Sequence, residues 1–240
     1  MLNIRASKAT KQSASFNELE RKGSESNLAW LKRAMGSDKK NPSLLLLGGK
    51  NRCAFRVRVA QSHARDDLTP SHWSHVLILP EFSAAKSPVW EVSLERPYGE
   101  FPPDSNAVQV AAFGDYAKAD WYPNIAWIRL DFETAAVRKV VETIERQRSV
   151  LDLVELVIHW LGFVWGVGRT GNPLFDGMGL PSAVLVEQVL GTLGMDLTPG
   201  LASRSSCPEA IWQAAKWWHN FYTDDKKPPV FGSWCVDHRL

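Results

Sequence analysis

Three polar side chains from separate parts of the sequence have the chemical types needed for nucleophilic hydrolysis. His75 lies among β-forming residues in the segment WSHVLIL, and Glu91 lies in a second such segment, PVWEVSL. If these segments pair as antiparallel strands, Glu91 can orient the His75 imidazole and stabilise its protonated form. Ser182 follows a glycine-rich loop and begins an apolar helical segment. The N-terminus of a helix stabilises a negatively charged nucleophile, and its free backbone amides can donate hydrogen bonds to an oxyanion.

Each of these residues also has a structural interpretation. His75 fits a hydrogen-bonded strand histidine, and Glu91 fits a solvated strand glutamate. Ser182 fits a helix N-cap, for which serine is among the preferred residues. Glu95, four residues after Glu91, competes with it for the role of orienting the imidazole. Only the spatial arrangement can choose between these interpretations.

The three cysteines are predicted to have no catalytic or ligating role. Their number is odd, their spacings are wide and no CxxC pair occurs, which argues against a disulfide framework or a zinc site. Cys207 precedes a predicted helix and resembles a cap. Neither Cys53 nor Cys235 is expected to have a helix start beside it. The sequence also lacks HExxH, P-loop and dinucleotide fingerprints, so no cofactor is predicted.

The order of elements predicts an α+β fold, because strands come first and helices follow. An amphipathic pattern with a 3.6-residue period predicts a helix over 133–147, and Ser149 with Asp152 forms an apparent capping box for the next helix. Residues 54–60 fit either a strand or a short helix. The remaining predicted strands cover 43–47, 73–79, 88–94, 107–113 and 126–130, and the remaining predicted helices cover 27–35, 182–191 and 208–218.

Charge divides the chain into two predicted regions. Residues 1–40 carry nine Lys or Arg and four Asp or Glu, so 1–41 is predicted to be a basic, flexible arm and 42–240 one domain. The formal net charge of +2 is too close to neutral to indicate nucleic-acid binding. No signal peptide is recognisable, and the apolar stretch 151–167 is too interrupted to span a membrane. Cytoplasmic synthesis is expected, with any export left to a dedicated machine.

In order and spacing, residues 42–215 resemble the circularly permuted papain-fold (NlpC-like) cysteine hydrolases, in which a histidine-bearing strand precedes the nucleophile helix. The resemblance implies an antiparallel sheet packed against helices, with His75, Glu91 and position 182 in the site. The matching segments are SLLLL (43–47), SHVLI (74–78), EV (91–92), YPNIAWIRL (122–130), SAVLVEQVL (182–190), GMDLTPG (194–200) and CPEAIW (207–212).

The departure from this family is Ser182, which stands where the family has its cysteine. A hydroxyl has a far higher pKa than a thiol, and a helix terminus cannot close that gap. The chain is therefore expected to be inactive as it stands. Either a cysteine was replaced to disable the enzyme, or the serine is natural in a pseudoenzyme or a serine-using variant. Retention of His75 and Glu91 favours the first explanation.

The resemblance implies a peptidoglycan endopeptidase or amidase acting on stem peptides. One setting is an antibacterial effector exported by a machine such as type VI secretion, with an immunity protein as partner, and a housekeeping cytosolic enzyme fits equally well. Two other functions stay open. One is a lipid thioesterase or acyltransferase, with residues 151–165 lining an acyl groove. The other is a catalytically inactive binding module that uses the basic arm for docking.

Overall fold

A single mixed sheet organises the protein. The computed structural model describes residues 16–95, 105–148, 151–222 and 230–238, and these contain seven strands and six helices. The strands are β1 (Phe16–Glu18), β2 (Ser43–Gly48), β3 (His75–Leu79), β4 (Pro88–Glu91), β5 (Gln109–Ala112), β6 (Asn124–Arg129) and β7 (Gly232–Cys235). The helices are α1 (Asn27–Met35), α2 (Arg52–Ala60), α3 (Thr134–Arg146), α4 (Leu153–Trp165), α5 (Pro181–Thr192) and α6 (Pro208–Phe221).

The sheet has the order β1-β7-β6-β2-β3-β4-β5. Its pairings are antiparallel except for the parallel pair of β1 and β7 at one edge. β2 lies in the middle and every one of its residues is buried. A strand covered on both faces has no solvent side, which explains the uninterrupted leucine run. The predicted α+β class is confirmed, and so are all five predicted strands, with shifted ends.

Helices cover the two faces of the sheet unequally. Leu44 and Leu46 of β2 face a large core to which α2, α3, α4, α5 and α6 all contribute. Leu45 and Leu47 face a smaller core, which α1 and the short 3₁₀ helix Phe113–Tyr116 cover. Among the described residues, no helix has the length and apolar character needed to cross a bilayer.

The prediction of a flexible arm over 1–41 is wrong for residues 16–41, which belong to the folded domain. β1 pairs with β7, and α1 has the predicted bounds, with the Ser26 hydroxyl accepting from the Ala29 amide. The helix buries Trp30 completely, and the Trp30 indole donates to the Leu19 carbonyl at 2.7 Å. The basic residues of this segment lie around an apolar stripe on α1, and burial of that stripe packs the segment against the sheet. Residues 1–15 lie outside the described part of the chain.

Two local predictions are resolved by the helix starts. Residues 54–60 belong to α2, whose first turn is capped by the Asn51 side chain accepting from the Ala54 amide at 2.8 Å. The capping box predicted from Ser149 is not the one used. Asp152 itself is the N-cap of α4 and accepts from the Glu155 amide at 3.1 Å, and Ser149 lies outside the described residues.

Candidate active site

A histidine–carboxylate pair lies where β3 begins and β4 ends. The two strands pair antiparallel with Ile78 opposite Trp90, a register that puts His75 and Glu91 on the same face of the sheet. His75 Nε2 lies 2.7 Å from Glu91 Oε2. The Glu91 side chain is 0% exposed, whereas the imidazole retains 14% of its exposure. Burial of the carboxylate behind a partly open imidazole is the arrangement of an orienting acid and a general base.

The hydroxyl of Tyr116 also contacts Glu91. Tyr116 is buried and donates to the same oxygen, Oε2, that contacts His75. With Nε2–H donating to Glu91, Nδ1 is the ring nitrogen left for proton transfer, and it has no hydrogen-bond partner in the described part of the chain. The competing carboxylate, Glu95, lies beyond the end of β4 and accepts from the Tyr122 hydroxyl at 3.2 Å. Glu91 is therefore the carboxylate that contacts the imidazole.

His75 and Ser182 line one cleft with a volume of about 200 Å³. α5 packs along β3 on the sheet's main core side and brings its first turn to the end of the strand at which His75 lies. Leu180 and Pro181 form the adjacent wall, and the rim includes Glu95 and Asp115. The two predicted residues, more than 100 positions apart in sequence, therefore face the same space. No hydrogen bond joins their side chains among the described residues.

Ser182 is not the cap of α5. The N-cap is Leu180, Pro181 is the first helical residue and Ser182 is the second. Leu180 accepts from the amides of Ala183 and Val184 at 2.9 Å each. Over the described residues, neither the hydroxyl nor the amide N–H of Ser182 has a hydrogen-bond partner, although the residue is only 2% exposed. A buried hydroxyl and a free amide at a helix start are suited to a nucleophile and an oxyanion donor.

Cys53 also lines this cleft, which the sequence interpretation missed. It is the second residue of α2, so the expectation that no helix start lies beside it is wrong. The ambiguity of residues 54–60 concealed that helix, while the Asn51 cap signal could have revealed it. Burial raises the pKa of the Cys53 thiol to about 12, and the nearby charge of Glu95 adds to the increase. The thiol is therefore protonated at neutral pH.

Cys207 and His72 do not line the cleft. Cys207 is the N-cap residue of α6, as its cap-like setting predicts, although its side chain makes no capping hydrogen bond. Burial raises its pKa to about 12. His72 is absent from the cleft lining and its ring lies beside that of His238. Burial lowers the pKa of His72 to about 4, with nearby arginines contributing, so it stays neutral at physiological pH.

The N-terminal region holds one wall of the cleft in place. Asn27 is fully buried and its amide donates to the carbonyls of Tyr116 and Tyr122, at 2.8 and 2.9 Å. Both tyrosines line the cleft, and their rings meet edge to face at 5.2 Å. The Arg21 guanidinium donates to the Asn27 oxygen at 2.5 Å. Residues predicted to be a flexible arm thus position the partner of Glu91.

Comparison of the chain with protein-family models, with curated proteins and with solved structures found no match. The resemblance to the NlpC-like hydrolases therefore rests on the order and spacing of the sequence segments. The cleft provides a separate, geometric basis for considering its chemistry.

Proposed function

We propose that the protein has the active-site architecture of a cysteine-type amide hydrolase, with a circularly permuted papain-like fold. The observation that carries the proposal is the shared cleft. The buried Glu91 carboxylate orients His75, and the hydroxyl of Ser182, which has no partner in the described residues, lies on the same cleft at the start of α5. In this proposal position 182 supplies the nucleophile, His75 is the general base and then the general acid, and Glu91 holds the imidazole.

The reaction follows from these positions. The side chain at 182 attacks the carbonyl carbon of an amide, and its proton passes to His75 Nδ1. The oxyanion accepts from the free amide N–H of Ser182. As the C–N bond breaks, His75 donates the proton to the leaving amine. Water then attacks the acyl intermediate with His75 as base, which releases the acid and restores the side chain.

With serine at position 182, the proposed reaction is slow. Its hydroxyl is a poor nucleophile without strong activation, and no hydrogen bond joins Ser182 to His75 in the described residues. A thiol at position 182 would ionise far more readily at a helix N-terminus beside an imidazole. The chain is therefore proposed to be inactive or nearly so with Ser182, and competent with cysteine there.

The proposed substrates are peptidoglycan stem peptides, as the family resemblance implies, and an exported antibacterial role with an immunity partner is part of the same proposal. The thioesterase alternative requires α4 to line an acyl groove. Among the described residues, no side chain of α4 (Leu153–Trp165) lines the cleft. Amide hydrolysis is therefore the better supported reaction.

The test is the Ser182→Cys variant, incubated with purified peptidoglycan and analysed for released peptides by mass spectrometry. We expect release by this variant and little or none by the protein with Ser182. Ser203→Cys is the matched control, because it adds a thiol outside the cleft. Absence of released peptides from every wall preparation would count against hydrolysis and favour the inactive binding module.

A further inference from the structure

Large apolar side chains are exposed together on one side of the molecule. They come from the outer face of α2, from α4 and from the segment that follows α4. Six of the twelve exposed large hydrophobic side chains in the described residues lie in this region, and we call it the α2–α4 surface: Phe55, Val59, Ile158, Trp165, Val167 and Phe175. Such a concentration is larger than the scattered apolar residues of an ordinary protein surface.

Contacts made by α2 and by His63, which follows it, connect α2 to the end of α4 and to Phe175. The Arg52 guanidinium lies 5.7 Å from the centre of the Trp165 ring, and Arg56 lies 4.9 Å from that of Phe163. Farther along, the Phe175 ring contacts His63 at 4.9 Å. α2 thus packs beside the end of α4 and the residues after it. Trp165 is 56% exposed and Phe175 is 73% exposed, so these contacts leave most of each ring open to solvent.

Positive charge predominates on this surface, and carboxylates directly flank the two segments that form it. Residues 49–65 and 156–175 contain no aspartate or glutamate, but they contain several lysines and arginines. Lys50, Arg52 and Arg169 are exposed and Arg56 is half-buried. In the described part of the chain none of these four cations forms an ion pair with a carboxylate. The surface therefore combines protruding aromatic rings with uncompensated positive charge.

We propose that the α2–α4 surface docks on an anionic lipid bilayer. Aromatic and aliphatic side chains enter the headgroup region, while arginines stacked on the rings bind lipid phosphates. A second copy of the chain would bring Arg52, Arg56 and Arg169 against like charges, which opposes self-association. A nucleic acid would leave the aliphatic Val59 and Val167 without a favourable contact, since it is bound through cations and aromatic stacking.

Docking of this kind fixes where the cleft lies relative to the lipid. Cys53, Ala54 and Val57 are on the inner side of α2 and line the cleft, whereas Phe55 and Val59 point away from it. One helix therefore separates the cleft from the proposed bilayer contact. Membrane binding in this proposal does not depend on hydrolysis, so it can be tested with the Ser182 protein as it stands.

The experiment is sedimentation of the full chain with vesicles of phosphatidylcholine, with and without phosphatidylglycerol. We expect binding only to the anionic vesicles, reduced by salt. Trp165→Ser is expected to lower the partition coefficient about tenfold through loss of inserted apolar area. Arg52→Gln and Arg56→Gln are each expected to lower it about fivefold, because each basic residue near the surface adds attraction.

Trp217→Ser is the matched control, because Trp217 is 50% exposed on α6 and is not part of the α2–α4 surface. Both tryptophans are largely exposed, so both variants should keep the fold, which circular dichroism checks. The proposal is overturned if the chain fails to bind anionic vesicles. It is also overturned if Trp217→Ser removes binding and Trp165→Ser does not. Binding of heparin or single-stranded DNA without vesicle binding would assign the cations to another polyanion and overturn it as well.

Discussion

The first turns of α2 and α5 meet at the same cleft and differ in what they present to it. Each helix places a residue of nucleophile type second in its first turn, Cys53 in α2 and Ser182 in α5. The thiol is the better nucleophile in principle, but burial and Glu95 raise its pKa to about 12. The hydroxyl is the poorer nucleophile, yet α5 packs along the strand that begins at His75. α2 therefore presents the better nucleophile type in an unreactive protonated form, and α5 presents the poorer type from a helix packed on the His75 strand.

This difference shows that residue type and helix position do not by themselves define a nucleophile. Reactivity also depends on the charges and solvent around the group, and on reach to a base. A cysteine at position 182 would combine thiol chemistry with the geometry of α5. A change at position 53 would leave that side chain as buried as the thiol is now.

The largest effect is expected from His75. In the Ser182→Cys protein, His75→Ala should lower amide hydrolysis by about 10³-fold, because the thiol loses its general base and the amine its acid. His159→Ala is the control, since His159 lies on α4 and contacts the Glu155 carbonyl. Initial rates on peptidoglycan measure both. If Cys53→Ala in the same protein removes hydrolysis, α2 and not α5 supplies the nucleophile, and the proposed assignment is wrong.

The Glu187 carboxyl of α5 is expected to make the stability of the protein depend on pH. This carboxyl is buried in α5 and accepts from the hydroxyls of Thr198 and Ser206, at 3.0 and 3.2 Å. Burial raises its pKa from 4.5 to about 7. The folded state therefore holds the proton that the unfolded chain releases above pH 4.5. This contribution to stability is present below pH 4.5 and falls as pH rises to about 7.

Unfolding by denaturant at pH 5 and pH 8 tests this linkage. The free energy of unfolding should lose about 3 kcal/mol of the Glu187 contribution over that range. Glu187→Gln retains an oxygen acceptor for both hydroxyls but does not ionise. Its loss between the two pH values should be smaller by that amount. Equal losses in the two proteins would show that Glu187 does not titrate in this range.

How much of this could be read from the sequence depends on how local each signal is. The leucine run of β2 and the period of α3 are local, and both predicted elements form. The pairing of His75 with Glu91 required only that neighbouring strands pair, and it was predicted. Cys53 was missed because residues 54–60 fit a strand as well as a helix, and β1 was missed because its partner β7 lies more than 200 residues away. Nothing in the sequence near Asn27 indicates that its amide supports Tyr116.

Substitution of Asn27 tests how much this residue stabilises the cleft wall formed by Tyr116 and Tyr122. Asn27→Ala removes donors to two carbonyls and one of the acceptors of the Arg21 guanidinium, which keeps its hydrogen bond to the Pro123 carbonyl. We expect a loss of about 2 kcal/mol in the free energy of unfolding, since buried groups remain unsatisfied. Asn220→Ala, at an exposed position of α6, should change stability by less than about 0.5 kcal/mol. Similar values for the two variants would exclude a structural role for the Asn27 amide.

The smallest effect concerns the charge beside Cys53. Burial is the main cause of the raised pKa of Cys53, and the charge of Glu95 is the second cause. Removing the carboxylate should therefore increase the thiolate fraction only slightly. Glu95→Gln is expected to increase iodoacetamide labelling of Cys53 at pH 8 about threefold, because the charge of the exposed Glu95 carboxylate is well screened by solvent. Mass spectrometry of the labelled Cys53 peptide over time measures the rate. Glu81 is an exposed glutamate beyond the other end of β3, and Glu81→Gln should leave the labelling rate unchanged.

A decrease in the labelling rate on Glu95→Gln would contradict the sign of the charge effect. An increase of 100-fold or more would make charge, rather than burial, the reason that α2 presents an unreactive thiol.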